Sequence, residues 1–569
     1  QYRESSLFLD KNATENRKLS RAKLIAHETS HMWFGDLVTM RWFNDVWMKE
    51  VFANFMADKI MNPVFPTINH ELNFMMSHYP SAYSEDRTQG TNAIRQDLAN
   101  LKNAGSLYGR IIYNKAPIMM RQLENVLGKK AFKKGIQEYI STYANDNADW
   151  NELVEILDKN SDKDIKKWSE IWVNSAGRPI FSDSIIYENN IIKSFEIYQK
   201  AEDNSPKIWA QSFKVGLVYD SEVKVIDAEI TNKKLILDNA IGLPKPNSII
   251  YNYNGFGYGV FPVNSDEIEL LKNIEDEVAR GYAFINLYEN MLNGKLVTLK
   301  TYNVMLDAIL VEKNELISNY LSGRIRNIYW TFLNEKEKEQ IQQKTESNIF
   351  KLLNKNIPKN IKKTLFNLYE SIIISENGVE NLYQIWKKEK SFENLFLNEN
   401  DFINLAEKLA ILQHLESVEI LDIQKKEIEN KDRLARFIWL LPTLSQDDKV
   451  RDDFMKSLLN KENREKESWV LSALNNLHHP LRQKEGIKHL EACLNTLEEV
   501  QLTGDIFFPK GWLASSIGNY SSKEAYDILQ DFLDKNPNYN PILKKKLLQT
   551  TDDLIRAQEI KTKEWIYQK

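Results

Sequence analysis

Two histidines four residues apart constrain the fold of this chain more than any other feature of its sequence. His27 and His31 lie in the same stretch, and on a helix with about 3.6 residues per turn their imidazoles project from one face. Two imidazoles placed in this way can bind a single metal ion. Glu28 lies beside them, where its carboxylate can hold a water molecule bound to that ion and act as a general base. We therefore predict a metal-binding helix from Glu15 to Phe34.

The third metal ligand must come from another segment, and a second helix is predicted from Val46 to Met61, with Asn44 and Asp45 as candidate caps. Glu50 lies in its first turns. If the two helices pack together, two neutral imidazoles and one carboxylate bind Zn²⁺ and leave a fourth position for water, which is the composition of a catalytic site. Structural zinc sites more often use cysteine, and the chain contains only Cys493. The residues thus predict one Zn²⁺ per chain, bound by His27, His31 and Glu50.

The residues around this pattern resemble the signature of a known enzyme family. From His27 to Met40, and again from Trp42 to Ala53, the sequence is similar to zinc aminopeptidases of the aminopeptidase N type. These enzymes belong to the gluzincin metallopeptidases, which include leukotriene A4 hydrolase. The resemblance implies the same metal ligands, with Glu28 as the base that activates the zinc-bound water.

Two positions depart from the family pattern. The family usually has Gly directly after the ligating Glu, where this chain has Val51, and often a further Glu where it has Ala57. Neither position is a predicted metal ligand. The departures concern the packing around Glu50 and the partner that orients a ligand, and Asn54 and Asp58 are candidates for that partner.

A second segment, from Tyr113 to Met120, resembles the Tyr-x-Lys-Gly-Ala motif of the family, with Ala116 and Pro117 at its last two positions. The resemblance implies that the Tyr113 hydroxyl hydrogen-bonds the oxyanion of the tetrahedral intermediate. A neutral donor aimed at developing negative charge beside a Lewis acid contributes about 3 kcal/mol. The residues alone would not select Tyr113 from the 24 tyrosines of the chain.

The first residues of the chain resemble a segment that lies inside the longer enzymes of this family. Tyr2-Arg3-Glu4 is similar to the segment that follows the Gly-x-Met-Glu-Asn motif, which binds the peptide and its free amino terminus. The resemblance implies that the chain is a C-terminal piece. Its partner would be a missing N-terminal part that contains a β-rich domain and the amino-group site. We expect the piece alone to be inactive.

The hydrophobic pattern predicts a mostly α fold with a small β-sandwich, in three parts. The pattern of residues 1–178 predicts helices, and the resemblance implies that they are the α-helical portion of a thermolysin-like zinc catalytic domain. Residues 179–264 contain short β-branched and aromatic runs separated by turns, which is typical of a β-sandwich. Residues 265–569 contain helices in pairs, which favours a HEAT-like α-solenoid. Long helices predicted in the first part include Leu107–Leu127 and Trp150–Val173.

Composition excludes several other classes of protein. The chain has 569 residues and a net charge of −5, and without a basic patch it is not expected to bind nucleic acid. Its apolar runs, such as Phe437–Leu441, are far shorter than the ~20 residues that span a bilayer, so no transmembrane segment is expected. One cysteine does not discriminate between compartments. We therefore expect a soluble protein. Its compartment stays open between the cell envelope or periplasm and the cytoplasm.

The function that these observations favour is a zinc-dependent aminopeptidase acting on peptide substrates. A related gluzincin hydrolase, such as an epoxide hydrolase or an endopeptidase, is the first alternative. The second alternative is a non-catalytic solenoid that binds a partner protein and retains a vestigial metal site. The presence of all four of the residues His27, Glu28, His31 and Glu50 argues against the second alternative.

Overall fold

The computed structural model describes residues 4–9 and 13–567 and divides the chain into two compact units, Gln1–Asn286 and Leu287–Lys569. Across the described residues the fold is mostly helical with small antiparallel sheets, as the sequence predicts. The division into three domains stays a prediction. No helix within the described ranges is both long enough and apolar enough to cross a membrane.

The helices of the first unit carry the predicted metal ligands. They are α1 (Glu4–Leu7), α2 (Glu15–Ser30), α3 (Val46–Met61), α4 (His70–Asp86), α5 (Ala116–Leu127), α6 (Lys129–Thr142), α7 (Trp150–Lys159) and α8 (Ile165–Trp172). Helix α9 (Glu277–Leu292) follows the sheets and contains the boundary between the two units. The two ligand-bearing helices, α2 and α3, pack directly against each other. A two-stranded parallel sheet of β1 (Val38–Thr39) and β2 (Asp146–Asn147) follows the turn after α2.

Helix α2 begins where the sequence predicts, because the Thr14 side chain accepts a hydrogen bond from the Arg17 amide at 3.3 Å and caps the first turn. It ends at Ser30, earlier than the predicted Phe34. His31 nevertheless keeps helical backbone angles, so its imidazole stays one turn from that of His27. The chain then reverses at Gly35, whose φ of +131° is accessible to glycine and strained for other residues.

Two predicted helices are interrupted in the structure. The segment predicted as Trp150–Val173 forms α7 and α8, because the Asp164 carboxylate caps a new helix by accepting from the Lys167 amide at 2.9 Å. The segment predicted as Leu107–Leu127 contains a π-helical turn, Ile111–Lys115, directly before α5. Pro117 follows this turn and has no N–H to donate to the carbonyl four residues back, which disfavours regular α-helical bonding there.

The β-rich part of the first unit consists of two three-stranded antiparallel sheets. One sheet has the order β3-β4-β7 and the other β6-β5-β8. Phe181 of the first sheet contacts Phe213 of the second, with ring centroids 5.6 Å apart, so the two inner faces share a core. The strands are β3 (Pro179–Glu188), β4 (Ile191–Ala201), β5 (Gln211–Val218), β6 (Val223–Ile230), β7 (Lys234–Ile236) and β8 (Ser248–Tyr251).

The second unit is built from helices, many of which begin after a polar N-cap residue such as Asn334 or Asn398. A large buried cluster in this unit includes Trp512, Phe508 and Tyr520. A HEAT-like repeat stays a prediction for this unit. The helices are α10 (Thr298–Ile309), α11 (Glu315–Asn327), α12 (Glu335–Leu353), α13 (Lys359–Ile372), α14 (Glu376–Trp386), α15 (Glu399–Ile411), α16 (Ser417–Glu427), α17 (Lys431–Leu444), α18 (Asp448–Ser457), α19 (Glu467–Leu477), α20 (Gln483–Gly486), α21 (Leu490–Asn495), α22 (Leu497–Thr503), α23 (Phe508–Ser515), α24 (Lys523–Lys535), α25 (Pro541–Thr550) and α26 (Asp552–Tyr567).

Candidate metal centre

The three side chains predicted as metal ligands lie together where α2 packs against α3. Potential ligand atoms of His27, His31 and Glu50 all fall within 4.8 Å of one another. The Oε2 atom of Glu50 lies 3.5 Å from Nε2 of His27 and 3.9 Å from Nε2 of His31. Side chains 23 residues apart in sequence thus converge on one point, because Glu50 lies on the face of α3 that meets α2.

The hydrogen bonds of the two imidazoles place the proton of each neutral ring on Nδ1. Nδ1 of His27 donates to the Asn54 side-chain oxygen at 2.9 Å, and Nδ1 of His31 donates to the Phe34 carbonyl at 3.0 Å. The two Nε2 atoms then face each other at 3.1 Å, each with a lone pair. Two lone pairs at that distance repel, and either a proton or a metal ion between them relieves the repulsion, so this point is suited to a cation.

The charges around the group favour the same conclusion. Burial alone would lower the pKa of His27, but the Glu50 carboxylate and the Asn54 oxygen raise it above its ordinary value overall. Burial would raise the pKa of Glu50, whereas His27, Lys49 and His31 lower it overall. The site therefore stabilises positive charge on the His27 ring and negative charge on the Glu50 carboxylate.

Two imidazole nitrogens and one carboxylate oxygen are a donor set that suits Zn²⁺. The separation of 3.1 Å between the two Nε2 atoms is close to that of two nitrogens bound to one zinc ion at about 2.0–2.1 Å each. The residues present thus fit a zinc ion with three protein ligands, and such a site retains positions for other groups.

The predicted base and the predicted oxyanion donor are both near enough to this group to interact with it electrostatically. Glu28 is exposed on α2, and its charge acts on His27 and on Tyr113. Tyr113 is half-buried in the π-helical turn, with its ring stacked near Tyr108 at a centroid distance of 6.2 Å. Burial raises the pKa of the Tyr113 phenol, and the carboxylate of Glu50 raises it further. The phenol therefore keeps its proton and can donate it in a hydrogen bond at neutral pH.

A buried ion pair, which the sequence did not indicate, holds the turn that carries Tyr113. Nζ of Lys115 lies 2.8 Å from Oδ2 of Asp86, both side chains are fully buried, and Nζ also donates to the Gly177 carbonyl at 2.9 Å. The Tyr258 hydroxyl donates to Oδ2 of Asp86 at 3.0 Å. Burial lowers the pKa of Lys115, and the Asp86 charge opposes this effect. Helix α4, the π-helical turn and the chain after α8 are thereby tied together.

Several neighbouring positions differ from what the sequence suggests. Asp45 makes no side-chain cap to α3; instead its carboxylate accepts from the Arg95 guanidinium at 2.8 Å. Asp58, a candidate partner for a ligand, forms an ion pair with Lys23 at 2.7 Å, whereas Asn54 contacts His27. Val51, at the position where the family usually has Gly, is fully buried. The helical spacing of α3 places both Asn54 and Asp58 on the side of the helix that carries Glu50. Only the packing of α2 against α3 shows that Asn54 is the one that contacts His27.

Comparison with known proteins supports the resemblance noted in the sequence. Residues 1–172 match the sequence profile described as "Peptidase family M1 domain". The chain is 27% identical over 334 residues to a "Probable aminopeptidase 1" of Sulfurisphaera tokodaii, which covers 58% of this chain and 41% of that protein. It is 29% identical over 210 residues to an "Aminopeptidase N" of Lactococcus lactis, covering 37% of this chain and 25% of that protein.

A third relative is the "Tricorn protease-interacting factor F2" of Thermoplasma acidophilum, 32% identical over 181 residues, or 32% of this chain and 23% of that protein. The chain thus spans less than half the length of these curated relatives. At the level of the family, the predicted resemblance is confirmed.

Proposed function

We propose, on the premise that residues 1–172 belong to peptidase family M1, that the full-length protein is a zinc-dependent aminopeptidase that removes N-terminal residues from peptides. The observation that carries the proposal is the convergence of three ligand atoms, with the two imidazole Nε2 atoms 3.1 Å apart and a Glu50 carboxylate oxygen 3.5 Å from that of His27. The printed names of two relatives, a probable aminopeptidase and an aminopeptidase N, support the class of reaction.

In this proposal His27, His31 and Glu50 bind one zinc ion. Zinc at such a site supplies Lewis acidity, which polarises a scissile carbonyl and lowers the pKa of water toward about 7. Glu28 accepts the proton of the attacking water and delivers it to the leaving amine. The Tyr113 hydroxyl donates a hydrogen bond to the oxygen that becomes negatively charged. Asn54 and the Phe34 carbonyl orient the two imidazoles, so that both Nε2 atoms remain available as ligands.

The proposal extends to the domain organisation. We assign residues 1–178 to the helical portion of a thermolysin-like domain, 179–264 to a β-sandwich and 265–569 to a HEAT-like superhelix. The chain covers 41% of the length of the probable aminopeptidase of Sulfurisphaera tokodaii, and the proposal includes a site for the substrate amino group in the further N-terminal part that the resemblance implies. The 569-residue chain alone is then expected to bind zinc without hydrolysing peptides.

The test uses the full-length protein and measures zinc content together with the hydrolysis of two chromogenic substrates. We expect one zinc ion per chain and cleavage of an aminoacyl substrate with a free amino group. Chelation should abolish this cleavage, and added zinc should restore it. Blocking the amino group by acetylation should prevent it, because an aminopeptidase recognises that group. Cleavage of the acetylated substrate or of internal bonds would favour an endopeptidase, and metal-free protein would overturn the proposal.

Removing the side chain of Asn54 is expected to weaken zinc binding by about 10–100-fold, because His27 loses the acceptor that fixes its ring and its protonated nitrogen. The measurement is a zinc competition titration of Asn54→Ala against a chromophoric chelator. Asp58→Ala is the matched control, since Asp58 lies one turn further along α3 and contacts Lys23 instead. Equal zinc affinities of the two variants would contradict the role of Asn54.

Tyr113→Phe is expected to lower kcat by about 10²–10³-fold with little change in KM, because the hydroxyl would contact the oxygen only as it becomes charged. Steady-state kinetics of the full-length protein measure this effect. Tyr143→Phe serves as a control, since Tyr143 lies at the end of α6 and its ring contacts Tyr139. A Tyr113→Phe enzyme with a normal kcat would remove Tyr113 from the mechanism.

A further inference from the structure

The two carboxylate oxygens of Glu50 face different neighbours. Oε2 points to the imidazoles, at 3.5 Å from Nε2 of His27 and 3.9 Å from Nε2 of His31. Oε1 points to the ammonium group of Lys49, at 3.7 Å. A carboxylate can bind a metal ion through one oxygen or through both, and the second mode occupies an additional coordination position. The residue that engages Oε1 therefore affects how many positions remain open.

Lys49 precedes Glu50 on α3, and neighbouring side chains on a helix point in directions about 100° apart. The Lys49 stem must therefore bend to bring its ammonium group to Glu50. The bent stem packs against the turn after α2. A Cβ atom built onto Gly35 in that turn would lie 3.5 Å from Cδ of Lys49 and 3.6 Å from Nδ1 of His31, so the stem passes close to the glycine. The Lys49 side chain is 32% exposed, so the packed stem fixes its path while the ammonium group stays hydrated.

From this arrangement we infer that Lys49 is a positioning residue, which engages Oε1 and keeps Glu50 a one-oxygen ligand of the metal ion. It acts through Glu50 and does not contact the substrate. Its effect is to keep coordination positions free for the water and the carbonyl that react. The inference rests on the proposed function, because it requires a metal ion bound by Glu50 and the two histidines.

The sign of one effect separates this role from a merely structural one. Removing the ammonium group eliminates its repulsion of a divalent cation and frees Oε1 to bind, so metal affinity should hold or increase. A lysine that only stabilises the fold would have the opposite effect, because its loss would loosen α3 and weaken metal binding. A higher metal affinity together with a higher coordination number of the metal ion is therefore specific to the positioning role.

The experiment compares Lys49→Met and Lys49→Arg with the unchanged 569-residue chain, each loaded with Co²⁺. In Lys49→Met we expect the visible absorption per cobalt to fall about threefold or more, since five-coordinate cobalt absorbs more weakly than four-coordinate cobalt. The zinc dissociation constant should be unchanged or up to about tenfold lower. Lys49→Arg retains the charge and the donor, and its spectrum should match that of the unchanged chain.

Lys59→Met is the matched control, because Lys59 also lies on α3 but pairs with Glu124 at 2.7 Å. It should leave the cobalt spectrum unaltered. A Lys49→Met spectrum identical to that of the unchanged chain would overturn the inference, as would zinc affinity and melting temperature falling together. Failure of the unchanged chain to bind cobalt or zinc would instead overturn the proposed function, so the two failures are distinguishable.

Discussion

Replacing Glu28 by glutamine is expected to lower kcat of the full-length protein by about 10²–10⁴-fold while the zinc content stays at one ion per chain. The amide has nearly the shape of the carboxylate but cannot accept the proton of the attacking water. Zinc should remain, because Glu28 is not among the three side chains whose ligand atoms converge. Steady-state kinetics and elemental analysis of the same preparation measure both quantities.

The matched control for this substitution lies on the same helix. Glu15→Gln changes an exposed carboxylate in the first turn of α2, which pairs with Lys18 at 2.7 Å. It should leave kcat and zinc content unchanged. If Glu28→Gln retained substantial turnover, another group would have to act as the base. If it lost zinc, the fall in activity would report on metal binding and the assigned role would be wrong.

Replacing Lys115 by methionine is expected to destabilise the first unit by about 3–5 kcal/mol, because it leaves the Asp86 carboxylate buried without its cation. Both side chains of this pair have no solvent exposure, so water cannot compensate for the lost charge. The remaining donors to Asp86, which include the Tyr258 hydroxyl and the Gly177 amide, are neutral and satisfy the carboxylate only in part. Urea denaturation followed by tryptophan fluorescence measures the loss.

A double substitution tests whether the unpaired charge is the cause. Lys115→Met combined with Asp86→Asn removes both charges and should recover part of the stability that the single variant loses. Lys18→Met removes an exposed lysine from a surface pair with Glu15 and should change the free energy of unfolding by less than about 1 kcal/mol. A Lys115→Met protein as stable as the unchanged chain would show that the pair contributes no net stability.

Local periodicity predicted much of the first unit. Helix α3 has the predicted bounds, Val46–Met61, and the β-branched and aromatic runs predicted within residues 179–264 form the strands β3 to β8. These elements depend on residues close in sequence, so a repeat of 3.6 or 2 positions is sufficient to identify them. The break between α7 and α8 was not predicted, because the apolar pattern continues across it and the capping by Asp164 is a single local hydrogen bond.

For the candidate site, sequence and structure contribute different information. The spacing of His27 and His31 and the position of Glu50 on the next helix predicted a metal-binding group, since each follows from helical geometry. The choice of Asn54 over Asp58 could not be predicted, because both lie on the same side of α3 as Glu50. That choice depends on which turn of α3 meets the ring of His27.

By itself, the sequence determined the helices and their apolar faces, the residues able to bind a metal ion, and the resemblance to a peptidase family. Only the tertiary structure decided which partners those residues have. Lys115 joins Asp86, 29 positions away, and the Gly177 carbonyl, 62 positions away. Such contacts have no period along the chain, because they arise when separately formed elements pack and exclude water around their polar groups.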